Sequence, residues 1–355
     1  MQIRDFENAG NRLQEWFMKK ILSLFALSLA ASFLFVVSSC AKKSANANSS
    51  GSKSVRIGIA KIVQHVALDA VEQGVIDVVN ESGFDAKFDL QNANGDVNTA
   101  AQIANKYRDE RVDVAVGIAT PVAIALANTI KDIPVVFGTV NDPVGAGLVS
   151  TVAHGEGNVT GMSDAIPTDQ HIAIFKEVAG IKTLGYIYTS NEANSAGSFE
   201  EVKKACAENG IQVVSQAITN SSEVKAAAQA IVDRVDGIYL TTDNTVFSAL
   251  ASLVQVFGDA KKPIFSADVT GAEAGGCLMA SGFNYYKAGR ATGEMVVQIL
   301  NGASPESLPV RFMTEPSDSD LLLDLDAAKN CGITFPPKYL DMASEIFENG
   351  KLIKK

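Results

Sequence analysis

The sequence is poor in the residues on which several functions depend. Its three histidines are too few and too scattered for a zinc site. It also lacks the nucleophile elbow G-x-S-x-G, the zinc-protease motif H-E-x-x-H and the phosphate loop G-x-x-x-x-G-K-[ST]. The formal net charge of −10 argues against a protein that follows nucleic-acid phosphates. We therefore expect a protein that is not an enzyme and that uses no metal, cofactor or nucleic acid.

Tryptophan and cysteine are also scarce. Trp16 is the single tryptophan, and four cysteines in 355 residues do not make a disulfide scaffold. Apolar residues, in contrast, make up 47% of the chain, which excludes a disordered protein. The length allows more than one hydrophobic core, since single cores stop growing near roughly 250–300 residues.

An apolar segment near the start is typical of a secretory signal. Residues 18–40 read MKKILSLFALSLAASFLFVVSSC, with two lysines, a charge-free apolar stretch, two small residues and Cys40. The ending resembles a bacterial lipobox, which implies removal of residues 18–39 and a lipid on Cys40. An uncleaved membrane anchor is the alternative, although the stretch is at the short end for spanning. Residues 1–17 do not fit such a signal, and we interpret them as a mis-annotated extension.

The segment after the signal predicts a tether. Residues 40–54 are rich in Ser and Asn and contain no aromatic residue, as in flexible linkers. We therefore expect a folded domain outside the cytoplasmic membrane, held to the periplasmic or cell-surface side by its lipid. Lipidation of Cys40 leaves three cysteines, so at least one thiol is unpaired, and either a Cys206–Cys277 or a Cys277–Cys331 bridge stays open.

The rest of the chain alternates apolar strand patterns with amphipathic helix patterns, and the alternation occurs twice. In the first half, strands are predicted at 55–60, 86–90, 112–118 and 134–138, and helices at 66–81, 96–110 and 121–130. The same order returns between residues 183 and 266, where 236–244 matches 113–121. Short connections of this kind indicate βαβ units. We predict the α/β class, with two doubly wound parallel-sheet lobes.

In open α/β sheets the ligand lies beyond the carboxyl ends of the strands, which limits the candidate binding residues. The candidates at these ends are Gln64, His65, Thr120, Pro121, Thr139, Asp142, Tyr188, Ser190, Asn191, Asp243, Asn244 and Asp268. Further residues near the same ends are Asn141, Thr242, Phe137, Phe247, Phe283, Tyr285 and Tyr286. The aromatic residues among them can wall an apolar ligand body.

Two of these positions suggest a mechanism. Thr120 precedes Pro121 at the first position of a helix, and the free N–H groups of such a start suit a carboxylate. Asp243 and Asn244 open the matching helix of the second half, and Asp243 or Asp142 can accept hydrogen bonds from an ammonium group. The combination predicts a zwitterion with a hydrophobic side chain, such as an amino acid.

The same residues also have purely structural interpretations. Thr120 and Asp243 can simply cap their helices, Asp142 can belong to a turn, and Tyr188 can be an ordinary core residue. His171, which is not at a predicted strand end, is expected on the surface.

Five short segments together resemble a known family. They are residues 64–69 (QHVALD), 117–121 (GIATP), 142–149 (DPVGAGLV), 158–161 (NVTG) and 325–337 (LDAAKNCGITFPP). From residue 55 to about 347, the chain resembles substrate-binding lipoproteins of ABC importers with the type I periplasmic-binding-protein fold. More specifically, it resembles the branch that includes tryptophan- and tyrosine-binding lipoproteins.

The resemblance implies two lobes that the chain crosses between three times, near residues 160–163, 276–283 and 312–316. Lobe one then comprises residues 55–162 and 280–313, and lobe two comprises residues 163–279 and 314–347.

The resemblance also implies capture of a small molecule between the lobes and its delivery to a permease driven by an ATPase. We expect Thr120 and Ser190 to hold a carboxylate, Asp243 and Asn244 an ammonium group, and the residues Gln64, His65 and Tyr188 to face the side chain. An aromatic amino acid such as tryptophan or tyrosine is the predicted ligand. A branched amino acid, a nucleoside or a sugar in the same fold, and a non-transport role as sensor or adhesin, stay open as alternatives.

Overall fold

The computed structural model describes residues 53–313 and 318–355. The predicted leader, Cys40 and all but the last two residues of the tether lie outside these ranges. Among the helices in the described ranges, none is long and apolar enough to cross a membrane. Cys206, Cys277 and Cys331 are free thiols, so neither disulfide that the sequence left open is formed.

Strands and helices alternate along the described chain. The strands are β1 (Ser54–Lys61), β2 (Asp85–Asn92), β3 (Val114–Ile118), β4 (Val135–Gly138), β5 (Val159–Ser163), β6 (Thr183–Thr189), β7 (Gln212–Ile218), β8 (Gly237–Leu240), β9 (Ile264–Ser266), β10 (Met279–Phe283), β11 (Arg311–Phe312), β12 (Ser319–Asp324), β13 (Glu345–Glu348) and β14 (Lys351–Lys354). The helices are α1 (Val66–Glu81), α2 (Val97–Asp109), α3 (Thr120–Thr129), α4 (Thr168–Ala179), α5 (Ala193–Glu208), α6 (Val224–Ile231), α7 (Asn244–Ser248), α8 (Leu250–Asp259), α9 (Val269–Ala272), α10 (Tyr285–Leu300), α11 (Leu325–Cys331) and α12 (Pro337–Met342).

The strands form two sheets with one repeated topology. The first sheet has the order β11-β5-β4-β3-β1-β2, and the second has the order β14-β13-β12-β10-β9-β8-β6-β7. Within them, β2-β1-β3-β4-β5 and β7-β6-β8-β9-β10 are equivalent all-parallel series in the 2-1-3-4-5 order of doubly wound folds. The predicted fold class is therefore confirmed.

Matching hydrogen bonds show the repeat at residue level. The Asp113 carboxylate accepts the N–H of Arg56 at 2.7 Å, at the start of β1. The Asp236 carboxylate accepts the N–H groups of Lys182 and Thr183 at 2.9 and 2.8 Å, at the start of β6. Both aspartates precede the third strand of their series, so the predicted match between residues 113–121 and 236–244 is confirmed.

Each sheet is covered by helices because its strands are apolar on both faces, as parallel strands usually are. Every residue of β3 and β4 is buried. On one face of the first sheet, α1 and α10 pack at very short range through glycines. A methyl group added at Gly289 would lie 2.2 Å from the Val71 carbonyl oxygen, and one added at Gly74 would lie 2.5 Å from the Tyr286 carbonyl oxygen. This close packing attaches α10 to the first sheet.

Lobe two has an aromatic core that includes His171. The imidazole is 3% exposed, and its Nδ1 lies 2.9 Å from the Tyr239 hydroxyl. Its ring also packs on Phe265, with centroids 4.9 Å apart. The surface position expected for His171 is therefore wrong, because the apolar face of α4 turns it onto the sheet.

The chain passes between the sheets after β5, after β10 and after β11. Since β10 pairs with β9 and β12, residues 280–283 belong to the second sheet rather than to lobe one, where the sequence had them. Since β14 pairs with β13, the second sheet also extends past residue 347. Most of the third passage, at residues 314–317, lies outside the described ranges.

Candidate functional site

A cavity lies between the two lobes, at the carboxyl ends of strands from both sheets. Lobe one and the first passage supply His65, Leu68, Ala119, Thr120, Thr139, Asn141, Asp164 and Tyr285 to its lining. Lobe two supplies Asn194, Thr242, Asp243, Asn244, Phe247 and Asp268. The location is that expected for a ligand site in two facing doubly wound sheets.

Contacts across this cavity hold the lobes together. The Asn141 side-chain amide, after β4, donates a hydrogen bond of 2.6 Å to the Thr242 hydroxyl, after β8. The rings of His65, at the start of α1, and Phe247, in α7, face each other with centroids 6.2 Å apart. These pairs close the cleft over the cavity.

The cavity collects polar atoms that the protein itself leaves unsatisfied. In the described chain, six buried side-chain nitrogen or oxygen atoms have no hydrogen-bond partner, and five of them belong to residues that line this cavity. They are both ring nitrogens of His65, Oγ1 of Thr120, Oδ1 of Asp164 and Oδ1 of Asn194. Because buried polar groups are nearly always hydrogen-bonded, such a cluster indicates a place for a polar ligand.

Asp164 follows β5 directly and is 3% exposed. Its Oδ2 accepts a hydrogen bond of 3.3 Å from the Tyr285 hydroxyl, whereas Oδ1 has no partner. Burial raises the pKa of Asp164 to about 7, and the charge of Asp268 acts in the same direction. Burial also raises the pKa of Asp268 to about 6, although this carboxylate caps α9 through the N–H groups of Thr270 and Gly271.

Thr120 begins α3 on a strained turn. The preceding Ala119 has a φ of +74°, which L-residues with a side chain rarely adopt, and Thr139 at the end of β4 has a φ of +54°. Such strain is typical of functional sites. The turn leaves the Thr120 hydroxyl in the cavity without a partner, next to the first N–H groups of a ten-residue helix.

Asp243 occupies the equivalent position of lobe two and is fully engaged. Its carboxylate accepts the Thr189 N–H and hydroxyl at 2.7 Å each, the Ser195 hydroxyl at 2.5 Å and the Val246 N–H at 3.0 Å. Four donors therefore fix this carboxylate as the cap of α7, and they leave little capacity for the ammonium group that the sequence assigned to it.

Asn244 is oriented by a buried acid that sequence reasoning did not consider. Its side-chain amide donates 2.8 Å to Glu192, which also accepts the Thr245 hydroxyl at 2.5 Å. Burial and the nearby charge of Asp243 raise the pKa of Glu192 to about 7. Asn244 itself lines the cavity.

His65 lines the cavity at the start of α1. Burial lowers the pKa of His65 to about 4, against a smaller opposing effect of Asn244. The imidazole is therefore neutral at neutral pH, with one ring nitrogen able to donate a hydrogen bond and the other able to accept one, and it lines the cavity beside Leu68 and Phe247.

Half of the predicted candidates line the cavity and half do not. Those that do are His65, Thr120, Thr139, Asp243, Asn244 and Asp268; those that do not are Gln64, Pro121, Asp142, Tyr188, Ser190 and Asn191. Tyr188 instead stacks on Phe199, with centroids 4.4 Å apart. Gln64, Asp142, Ser190 and Asn191 are exposed, and Pro121 is buried in the first turn of α3.

Four lining residues were not anticipated. Asp164 directly follows β5, which the sequence indicated only as a crossing between the lobes and not as a strand. Had β5 been predicted as a strand, the rule that places ligands at strand ends would have identified Asp164. Asn194 lies in the first turn of α5, which begins at Ala193 directly after the loop that follows β6. Leu68 and Ala119 are apolar and gave no signal beyond helix and strand patterning.

Comparison with known proteins gives a family and several relatives. A family model described as ABC transporter substrate binding protein matches residues 56–347. A tyrosine-binding protein of Clostridioides difficile (strain R20291) is 31% identical over 347 residues, which cover 95% of this chain and 96% of that protein. This family and this relative are binding proteins rather than enzymes.

Two solved structures bear on the conformation. An ABC domain from Streptococcus pneumoniae in complex with L-Trp is 32% identical with a TM-score of 0.79, over 83% of this chain and 100% of that chain. The ligand-free, open structure of a substrate binding protein with adhesive properties from Clostridium difficile is 36% identical with a TM-score of 0.59, over 79% and 96%. The open structure has the higher identity and the lower TM-score, which agrees with a closed arrangement of the lobes in this chain.

Proposed function

Because the chain belongs to the family of ABC transporter substrate-binding proteins, we propose that it captures an aromatic amino acid between its lobes and delivers it to a membrane permease. The ligand is released unchanged, so the protein is a carrier and not an enzyme. Transport by the permease is driven by its partner ATPase.

The unsatisfied polar atoms of the cavity carry this proposal. A buried polar atom without a hydrogen-bond partner costs about 1–3 kcal/mol. Five such atoms around one cavity therefore destabilise the closed conformation considerably. A ligand that carries both a hydrogen-bond donor and an acceptor removes that cost. Binding then favours the closed state because only that state lets both lobes contact the ligand.

Asp164 is the proposed partner of the ligand ammonium group. Its Oδ1 is buried and free of protein donors, and the residue lines the cavity. Asp243 was the earlier candidate, but its four protein donors assign it to holding the start of α7. The charge-assisted bond from an ammonium to Asp164 keeps this carboxylate ionised in the complex.

Thr120 and the first turn of α3 are the proposed partners of the ligand carboxylate. The Thr120 hydroxyl is free, and free N–H groups at a helix start attract anions. Ser190, which the sequence paired with Thr120, instead donates to the Ile218 carbonyl oxygen at 3.2 Å outside the cavity.

The ligand side chain fits the apolar part of the lining. Leu68, Phe247, Tyr285 and the neutral ring of His65 provide this part. Planar side chains pack well on such rings. The similarity to a tyrosine-binding protein and to an L-Trp complex supports an aromatic ligand.

We further propose that the protein acts outside the cytoplasmic membrane, as substrate-binding proteins of ABC importers do. The predicted signal at 18–39 and the lipobox before Cys40 support a lipid anchor. Palmitate labelling of cells that express the wild-type chain or Cys40→Ala tests this anchor, and label on the Cys40→Ala chain would contradict it.

Titration calorimetry with tryptophan, tyrosine and phenylalanine tests the ligand. We expect at least one of them to bind, and Asp164→Asn to weaken that binding about a hundredfold, since a buried charge-assisted bond is lost. Asp233→Asn is the matched control, because Asp233 is an exposed carboxylate that does not line the cavity, and the affinity of this variant should stay within about twofold of wild type. Absence of binding by all three amino acids would refute the proposal.

A further inference from the structure

The charges around the cavity are of one sign. Asp164, Asp243 and Asp268 line it, and none of the described residues in its lining is a lysine or an arginine. Lys61, whose charge reaches His65, is already paired with Asp69 and Glu72 at 2.6 and 3.0 Å. The space is therefore electrostatically suited to a cation.

The two polar ends of an amino acid meet very different surroundings in this cavity. An ammonium group meets the free oxygen of Asp164, which carries charge once ionised. A carboxylate meets neutral donors, namely the Thr120 hydroxyl, the ring N–H of neutral His65 and the first N–H groups of α3, of which Pro121 removes one. It also enters a space lined by three other carboxyl groups.

We propose that the ammonium group, and not the carboxylate, decides which aromatic ligands this cleft accepts, so that aromatic amines without a carboxylate, such as tryptamine and tyramine, also bind in it. This inference rests on the proposed function, since it concerns the same cavity. It widens the ligand class from aromatic amino acids to aromatic primary amines.

The two truncated ligands lose different interactions with the cavity. Removal of the carboxylate gives up hydrogen bonds from neutral donors, but it also removes repulsion by Asp243 and Asp268. Removal of the ammonium group leaves Asp164 buried without a partner, and such a group is costly in either ionisation state. The second loss is the larger one.

Calorimetry at pH 7.5 with tryptophan, tryptamine and indole-3-propionate tests the inference on the purified protein. These three ligands share one ring and differ only in their polar ends. We expect tryptamine to bind within about tenfold of tryptophan, and indole-3-propionate to bind at least about a hundredfold more weakly than tryptophan. Tryptamine more than about tenfold weaker than tryptophan would overturn the proposal, as would indole-3-propionate within about tenfold of it.

Two variants assign the effect to atoms. Thr120→Val, which keeps the side-chain shape, should weaken tryptophan more than tryptamine, whereas Asp164→Asn should weaken both. Equal weakening of both ligands by Thr120→Val would contradict the assigned roles. Thermal unfolding of each variant shows whether the fold is retained.

Failure of this inference can be told apart from failure of the proposed function. If tryptophan binds and tryptamine does not, the wider ligand class is wrong and the amino-acid carrier stands. If tryptamine binds while tryptophan, tyrosine and phenylalanine do not, the amino-acid ligand is wrong and the ammonium rule stands. If none of the four binds, both proposals are refuted.

Discussion

The two lobes repeat one topology, yet they treat the same position in opposite ways. Thr120 and Asp243 both stand where a helix follows the third strand of the series. Asp243 accepts four hydrogen bonds from its own lobe, whereas the Thr120 hydroxyl accepts and donates none. Backbone strain shows the same asymmetry, because Ala119 has a positive φ and Thr242 does not.

The contrast indicates that the two lobes contribute differently to the cavity. Of the five unsatisfied atoms around the cavity, only Oδ1 of Asn194 belongs to lobe two. Lobe one and the first passage thus carry four of the five atoms whose hydrogen bonds a ligand can complete. Lobe two carries one, and its Asp243 is already fully hydrogen-bonded. The same topology therefore carries different hydrogen-bonding arrangements at the cavity in its two copies.

The largest effect expected from this contrast is on stability. Asp243→Ala would leave the N–H group of Val246 and the hydroxyls of Thr189 and Ser195 without their acceptor inside lobe two. We expect a loss of about 3–5 kcal/mol in the free energy of unfolding, measured by urea denaturation. Asp243→Asn retains one acceptor and should lose less. An unchanged free energy of unfolding in Asp243→Ala would contradict the structural role that the comparison assigns to Asp243.

The next effect is the pH dependence of binding. Burial raises the pKa of Asp164 to about 7, with Tyr285 and Asp268 as its neighbours. Since the ammonium contact needs an ionised carboxylate, a proton must leave on binding below that pH, and affinity should fall up to about tenfold per pH unit between 7 and 5.

Protonation of Asp268, with a pKa of about 6, relieves its repulsion of the ligand carboxylate and so opposes part of this fall, whereas neutral His65, with a pKa of about 4, contributes only near and below pH 4. Calorimetry in buffers of different ionisation enthalpy measures the proton release directly. Asp164→Asn should flatten the profile above pH 6, and an equally steep profile in that variant would exclude Asp164 as the titrating group.

A smaller effect separates affinity from stability in lobe one. Thr120→Val removes a hydroxyl that bonds to nothing in the unliganded protein, so the free energy of unfolding should change by less than about 0.5 kcal/mol. Affinity for the amino acid should fall about tenfold, because one ligand hydrogen bond is lost. A loss of stability without a loss of affinity would assign Thr120 to helix capping alone.

The smallest effect concerns the contact that joins the lobes. Thr242→Val removes the acceptor of the Asn141 amide, a hydrogen bond of 2.6 Å made only when the cleft is closed. We expect the closed state to become about 0.5–1.5 kcal/mol less stable relative to the open state. This change weakens ligand binding several-fold and increases the radius of gyration measured without ligand. Small-angle scattering checks the second part, and an unchanged radius would show that this bond does not hold the cleft closed.

The sequence predicted the repeat better than the site, for physical reasons. The apolar strands and their helices set the topology, and the strand-end rule found Thr120, Thr139, Asp243 and Asp268. It could not tell which end residues point inward. Ser190 and Tyr188 sit at or near the end of β6, yet one bonds to Ile218 and the other stacks on Phe199.

Asp164 shows the other limit of the sequence. Its importance depends on burial by both lobes and on the absence of a second partner for its carboxylate, which are tertiary properties. The same is true of Asp243. Its residue type and its place after a strand suggested an ammonium partner, but its carboxylate already accepts four hydrogen bonds from the protein. Residue type and position predicted where ligand contacts are possible, and only the packing decided which carboxylate is free.

A crystal structure of the protein with L-tryptophan tests most directly the central claim that the unsatisfied polar atoms of lobe one and the first passage bind the ligand. The account predicts the ligand in the cavity between the lobes, with its ammonium nitrogen about 3 Å from Oδ1 of Asp164 and its carboxylate at Thr120. An ammonium group bound by Asp243, or a ligand outside this cavity, would contradict it.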